Sequence, residues 1–133
     1  MSDCAILGDS IAVGISMYMH HCTVEARVGI NSIAWNRSFL VQNISADHVI
    51  ISLGSNDWSP TLTRRALFVM RSHITAGRVT WIIPAIKPDI RDVIERIALH
   101  NGDGMIDLLP LPRGPDHVHP TGTGYAMIAK ELR

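Results

Sequence analysis

The segment Gly8-Asp9-Ser10 contains the first side chain that could do covalent chemistry, the hydroxyl of Ser10. An apolar run over 4–7 precedes it and is typical of a short buried strand, and an amphipathic stretch over roughly 12–20 follows it. A serine at such a junction lies where α/β folds place their functional sites, and the positive end of the helix favours negative charge nearby. Two interpretations stand side by side: Ser10 is a nucleophile, or it caps the helix, since serine is a preferred N-cap.

A serine nucleophile needs partners, and the sequence contains a candidate for each of them. The hydroxyl is a weak nucleophile until a base accepts its proton, and a carboxylate should fix the tautomer of that base. His119 can be the base, and Asp116, three residues earlier, can hold its other ring nitrogen. The oxyanion of ester cleavage needs hydrogen-bond donors, and the side-chain amide of Asn56 and the backbone amides of Gly29 and Ser10 are candidates.

The order of the predicted elements decides whether these distant residues can meet. Apolar runs, caps and breakers predict strands over 4–7, 23–28, 48–53, 79–83 and 104–108, and helices over 12–20, 31–42, 59–76, 88–101 and 121–132. Alternation of this kind indicates a parallel sheet covered on both faces, with right-handed crossovers. We therefore predict one α/β domain over 1–133, a flavodoxin-like three-layer α/β/α sandwich with a five-stranded parallel sheet. Its strands end at one edge, where the polar clusters can meet.

Four short motifs along the chain resemble the sequence blocks of a known family. They are Gly8-Asp9-Ser10, Gly29, Gly54-Ser55-Asn56-Asp57 and Asp116-x-x-His119. In this order, and with alternating strands and helices, they resemble the four blocks of the SGNH (GDSL-type) hydrolase family over nearly the whole chain. The chain is similar to a compact, single-domain member of that family. Ile11 stands where the family commonly has leucine.

The resemblance implies a role for each of these residues. It implies Ser10 as nucleophile, His119 as base and Asp116 as the acid that orients the base. It implies an oxyanion hole made by the backbone amides of Ser10 and Gly29 and the side chain of Asn56. The implied activity is that of a serine hydrolase that cleaves a carboxylic ester through an acyl-enzyme. The expected substrate is a small ester, or a carbohydrate that carries O-acyl or O-acetyl groups.

Residues next to the third motif are candidates for substrate binding. Trp58 directly follows the motif and could line a cleft in which an aromatic ring stacks on sugars or acyl chains. Asp57 could contact substrate or orient site residues, although a structural role as the cap of a turn is favoured. Trp81 lies in a predicted strand and is expected in the core.

Other functions are open on the same fold. Compact chains that look like this one occur among phage and bacterial cell-wall enzymes, so the bond cut could be glycosidic. The protein would then be a peptidoglycan lytic transglycosylase or glycosidase, with Asp116 or Asp57 as general acid. A binding module that has lost its chemistry is a third alternative, and the complete set of catalytic residue types argues against it.

Composition narrows the range of partners. Twelve basic and twelve acidic residues give a net charge of zero, which argues against a nucleic-acid partner. No apolar run approaches the ~18 residues of a membrane span. No signal peptide is visible, so we expect a cytoplasmic protein by default, or one released without a signal. The zero net charge and the apolar fraction of 47% permit self-association without defining an oligomeric state.

We expect neither a cofactor nor a metal ion. His117 beside His119 could suggest a metal pair with His20-His21, but no cysteine or carboxylate spacing supports a zinc site. Cys4 and Cys22 are too few for a disulfide framework, and buried free thiols are favoured over a disulfide.

Overall fold

A computed structural model describes residues 2–133 as strands and helices that alternate along the chain. The strands are β1 (Ser2–Gly8), β2 (Thr23–Ala26), β3 (Ile44–Ser52), β4 (Ile74–Ile83) and β5 (Gly104–Asp107). The helices are α1 (Ser10–Ser16), α2 (Ser32–Phe39), α3 (Pro60–Ser72), α4 (Pro88–Asn101) and α5 (Gly122–Leu132). The five strands form one parallel sheet in the order β2-β1-β3-β4-β5. The predicted α/β fold with a five-stranded parallel sheet is confirmed.

Both faces of the sheet are buried beneath helices. Neighbouring residues of a strand point to opposite sides, so each strand contributes side chains to both faces. On one face Val49, Ile51 and Trp81 pack against helices α2, α3 and α4. On the other face Ile50 and its neighbours pack against α1 and α5. This double burial explains the continuous apolar run in β3, and the expectation that Trp81 lies in the core is confirmed by its 1% exposure.

Helix α5 packs beside α1 on the same face of the sheet. The two helices approach closely at Gly14, where an added Cβ would lie 2.3 Å from the ring of Tyr125. The loop that leads into α5 is thereby held near the start of α1. This packing is what carries the residues before α5 to the Ser10 edge of the sheet.

The boundary between α3 and β4 differs from the prediction. The helix ends at Ser72, with His73 as its C-cap, and β4 begins at Ile74 rather than at Val79. Ile74 and Thr75 pair in register with the start of β3, and β-branched residues fit such a pleated surface. Pairing with a neighbouring strand thus overrides the helical spacing that continues through this stretch.

The expectation of free thiols is wrong, because Cys4 and Cys22 form a disulfide. Ala5 of β1 pairs with Thr23 of β2, so the register places the two preceding residues side by side. Their Cα atoms lie 4.7 Å apart, within the range that a disulfide spans. The register of β1 and β2 brings the two cysteines together. Their separation of 18 residues along the chain does not reveal this.

The longest helix described, α4, has 14 residues. Within residues 2–133, no helix combines the length and the apolar character needed to cross a membrane.

Candidate active site

Ser10 lies at the sharp turn between β1 and α1. Gly8 has a φ of +143°, and an added Cβ there would lie 1.8 Å from the carbonyl oxygen of Ser52, so only glycine fits. The N-cap of α1 is Asp9, whose carboxylate accepts a hydrogen bond from the Ile11 amide at 3.0 Å. Ser10 is therefore the first residue of the helix and not its cap, so its hydroxyl is available for another role.

The hydroxyl of Ser10 contacts a histidine from the far end of the chain. Its Oγ lies 2.7 Å from Nε2 of His119, across a separation of 109 residues. Nδ1 of the same ring lies 2.6 Å from Oδ2 of Asp116. An ionised carboxylate can only accept, so the ring proton lies on Nδ1 and Nε2 accepts a hydrogen bond from the serine hydroxyl. The three side chains that the sequence predicts as a triad are brought together.

The loop around Asp116 keeps that carboxyl group ionised. Hydrogen bonds from the Val118 amide, the His119 side chain and the His119 amide hold the pKa of Asp116 well below its usual range. The residue after Asp116 is tied down as well, since Arg113 donates to the carbonyl of His117. Asp116 thus orients His119 as a fixed negative charge at neutral pH.

Two of the three predicted oxyanion donors, Gly29 and Asn56, lie in turns that are joined by a hydrogen bond. Gly29 has a φ of +81°, which explains its residue type, and the space that a Cβ would occupy there is open. The side-chain amide of Asn56 donates to the carbonyl of Ile30 at 3.0 Å, which ties the third motif to the Gly29 turn. An amide group carries a second hydrogen, and the Ser10 amide is at the first helical position, where it needs no partner within the helix. The Asn56 side chain and the Ser10 amide therefore each have a hydrogen to offer.

The carboxylate of Asp57 is hydrogen-bonded within the protein. Its side chain is buried, with the residue 5% exposed. One carboxylate oxygen accepts from the Ser32 amide at 2.9 Å and the other from the Thr63 hydroxyl at 2.7 Å. Both oxygens are engaged with the starts of α2 and α3, so the geometry favours the role of a positioning residue over direct contact with substrate by this carboxylate.

Asp9 is more than a local cap. It is fully buried, Oδ1 also accepts from the Ser52 hydroxyl at 3.2 Å, and within residues 2–133 its Oδ2 has no hydrogen-bond partner. Burial, opposed by the hydrogen bond from Ile11, raises the pKa of Asp9 from 3.8 to about 6. The shifted pKa of Asp9 follows from its burial, which the sequence does not reveal.

Trp58 lies on the surface beside the third motif, at 86% exposure. The Nζ atom of Lys87 lies 3.8 Å from the centroid of its ring. The same ammonium donates to the carbonyls of Ser55 and Asp57, at 2.8 Å each. Sequence reasoning missed Lys87, because it lies far from the third motif in the chain and belongs to none of the four motifs.

The structure groups one set of metal-ligating residue types within residues 2–133. The ligand atoms of Cys4, His21 and Cys22 all lie within 4.8 Å of one another. Both sulfur atoms form the disulfide, so neither is the thiolate that a metal requires. The cluster lies toward the opposite end of β1 from Ser10.

No protein-family model and no curated protein matches the chain. Solved structures with the same architecture do match. A GDSL-like lipase from Bacteroides thetaiotaomicron is similar at 17% identity with a TM-score of 0.70, over 97% of this chain and 84% of the lipase. A carbohydrate acetylesterase family member from Sinorhizobium meliloti is similar at 12% identity with a TM-score of 0.58, over 98% of this chain and 95% of its own. The chain therefore has an SGNH hydrolase-like fold.

Proposed function

We propose that this protein is a serine hydrolase that cleaves a carboxylic ester through an acyl-enzyme on Ser10. The substrate is a small ester or a carbohydrate with O-acyl or O-acetyl groups. The observation that carries the proposal is the continuous series of hydrogen bonds from Asp116 through His119 to the Ser10 hydroxyl, at 2.6 and 2.7 Å. Similarity in fold to a lipase and to a carbohydrate acetylesterase family member supports it.

Acylation begins when the Oγ atom of Ser10 attacks the carbonyl carbon of the ester. The proton of the hydroxyl passes to Nε2 of His119, which becomes an imidazolium held by the ionised Asp116. The carbonyl π electrons move to the oxygen, and the tetrahedral intermediate carries a negative charge there. When it collapses, the C–O bond to the alcohol breaks and His119 returns the proton to the leaving oxygen.

The amides of Ser10 and Gly29 and the side chain of Asn56 stabilise the oxyanion in this proposal. Donors of this kind contribute most when they are held in place before charge develops. The bond from Asn56 to Ile30 orients the side-chain amide, and the buried Asp57 holds the start of α2 next to the Gly29 turn. The positive end of α1 adds to the same field at Ser10.

Deacylation repeats these steps with water as the nucleophile. His119 accepts a proton from the water as it attacks the acyl carbon, and the second tetrahedral intermediate uses the same donors. Its collapse breaks the bond to Ser10 Oγ and returns the proton to the serine. The products are one alcohol and one carboxylic acid, and the enzyme is regenerated.

The two predicted candidates for a general acid, Asp116 and Asp57, favour ester cleavage over glycoside cleavage. A general acid in glycoside hydrolysis needs a pKa raised toward neutrality. Hydrogen bonds from Val118 and His119 instead hold the pKa of Asp116 well below its usual range, so it carries no proton to donate at neutral pH. Asp57 is buried, with both oxygens accepting hydrogen bonds from the protein. Cleavage of peptidoglycan is the competing activity, and the experiment below includes a result that would indicate it.

The test is the intact mass of the protein after treatment with a fluorophosphonate. We expect a single adduct on the wild type and none on Ser10→Ala, because only an activated serine displaces the fluoride. Ser72→Ala is a matched control, since Ser72 is an exposed residue at the end of α3 whose hydroxyl donates to the Val69 carbonyl. It should be labelled like the wild type.

A folded wild type that forms no adduct would overturn the proposal. The next measurement would then be mass analysis of digested peptidoglycan sacculi, in which anhydro-sugar ends indicate glycosidic cleavage and free acetate indicates ester cleavage. An adduct that persists in Ser10→Ala would assign the reactive serine to another position.

A further inference from the structure

Trp58 differs from the other tryptophans of the chain in its exposure. Trp35 and Trp81 are 0% and 1% exposed, whereas Trp58 is 86% exposed. Transfer of a large aromatic side chain out of water is favourable. An indole that stays on the surface therefore contributes little to the stability of the fold. It lies two residues after Asn56, next to the proposed oxyanion donors.

One face of the Trp58 ring is supported by Lys87. The ammonium lies 3.8 Å from the ring centroid and donates to the carbonyls of Ser55 and Asp57, which flank Asn56. Two of its three protons are thus committed to the backbone of the same loop, and its charge faces the ring. Burial lowers the pKa of Lys87, in keeping with an ammonium that is partly withdrawn from water. The indole is therefore held at a defined angle.

The backbone at Lys87 has a strained conformation. Lys87 has a φ of 61° and a ψ of 78°, a left-handed conformation that residues with a Cβ seldom adopt. It also precedes Pro88, which disfavours helical conformations in the residue before it. Strained backbone that the rest of a fold maintains is concentrated at functional sites. The contact between Lys87 and Trp58 offers a reason for the strain.

A cavity of about 170 Å³ opens beside Trp58. The residues that line it include Asn31, Ile33, Leu62 and Ser59. Asn31 lies two residues after Gly29, so both walls of the cavity continue from segments that carry oxyanion donors. Pockets for whole ligands have volumes of roughly 300–1,000 Å³, so this one suits a single ring or a similarly small unit, with the rest of the ligand in solvent.

We infer that Trp58, held by Lys87, is a stacking platform for a neutral pyranose ring, so that the substrate is an O-acylated carbohydrate. A pyranose has an apolar C–H face that covers an indole and a rim of hydroxyl groups that needs polar neighbours such as Asn31 and Ser59. An acyl chain gains mainly by exclusion of water, which an indole at 86% exposure does not provide. Lys87 is a positioning residue in this scheme. The inference rests on the proposed function and names its substrate class.

The first experiment measures binding without catalysis. The Ser10→Ala protein is titrated with xylotetraose and with the tetramer of N-acetylglucosamine, and tryptophan fluorescence is recorded. Since Trp35 and Trp81 are buried, a ligand on the surface changes mainly the emission of Trp58. We expect saturable binding of at least one of the two tetramers. Adding Trp58→Ala to the Ser10→Ala protein should weaken that binding about tenfold or more, with the affinity measured by calorimetry.

Two further variants separate positioning from folding. Lys87→Met, which keeps the length of the side chain but removes the cation, should weaken binding and shift the Trp58 emission, and Lys87→Arg should restore both. Phe68→Ala is the matched control, because Phe68 is another exposed aromatic residue, at 58% exposure on α3. It should bind both sugars as Ser10→Ala does. Failure of both tetramers to bind, or equal binding by the Trp58→Ala protein, would overturn the inference.

The second experiment compares two acetyl esters on the active enzyme. The loss of kcat/KM caused by Trp58→Ala should be about tenfold larger on the O-acetylated form of the tetramer that binds than on glyceryl triacetate, and should arise mainly in KM. Equal losses on both esters would overturn the sugar platform while leaving the esterase proposal intact. No hydrolysis of either ester, together with sugar binding by Ser10→Ala, would instead contradict the proposed function and support the platform.

Discussion

The hydroxyl of Ser52 donates to Oδ1 of Asp9 at 3.2 Å, and within residues 2–133 the other oxygen of this buried carboxyl group has no partner. Only one of the two carboxylate oxygens of Asp9, the N-cap of α1, therefore has hydrogen-bond partners. Burial raises the pKa of Asp9 from 3.8 to about 6. The folded protein therefore binds a proton at this site more tightly than the unfolded chain does.

We expect stability to depend on pH through Asp9. A raised pKa in the folded state favours folding below pH 4, and this contribution is lost as the pH rises through about 6. Asp9→Asn keeps an acceptor for Ile11 and Ser52 but cannot ionise. It should be more stable than the wild type at pH 7.5, by up to about 3 kcal/mol, and close to it at pH 4. Urea unfolding at the two pH values measures this, and a pH-independent difference would contradict it.

Reduction of the Cys4–Cys22 disulfide should destabilise the protein. The cross-link closes a loop with a sequence separation of 18 that contains Ser10 and the whole of α1. A loop of this size stabilises a fold by about 3 kcal/mol through the unfolded chain. Cys4→Ser with Cys22→Ser should lower the free energy of unfolding by that amount, as measured by chemical denaturation. A reducing agent should reproduce the effect in the wild type and leave the double variant unchanged, and equal sensitivity of both would contradict the assignment.

Asp116→Asn should lower kcat by about 10⁴-fold, because the amide no longer selects the tautomer with the proton on Nδ1 of His119. Ser10→Ala defines the lower limit, at about 10⁶-fold below the wild type. Because the pKa of Asp116 lies well below its usual range, its protonation should not limit activity in mildly acidic solution. Steady-state kinetics on an acetyl ester measures both effects. Retention of more than about a tenth of wild-type kcat by Asp116→Asn would remove the carboxylate from the mechanism.

Asn56→Ala should lower kcat by about 10²–10³-fold with a smaller change in KM, because the lost donor acts on charge that develops in the transition state. Asn56→Asp is the sharper variant, since it keeps the shape of the side chain but replaces a donor with a negative charge. It should be at least as impaired as Asn56→Ala. Thermal unfolding controls for the lost bond to Ile30. Higher activity in Asn56→Asp than in Asn56→Ala would contradict the oxyanion role.

Local patterns in the sequence were sufficient for the fold class and for naming the three residues Ser10, Asp116 and His119, which the structure brings into contact. Each strand and helix is encoded by neighbouring residues, as in the apolar run of β3 or the Ser59-Pro60 start of α3. The spacing of Asp116 and His119 likewise lies within one turn of chain, so their contact was predictable. The end of α3 was not, because pairing of Ile74 with β3 outweighed the helical pattern.

The remaining features depend on how distant segments are placed against one another. Register between β1 and β2 joined Cys4 to Cys22, and burial raised the pKa of Asp9, which its neighbours along the chain do not encode. The contact of Lys87 with Trp58 bridges two loops that follow different strands. The sequence by itself therefore determined which residues are candidates for the chemistry and in which elements they lie, since these depend on short-range preferences. The tertiary structure alone decided their environment, because desolvation and side-chain contacts arise only when the layers pack.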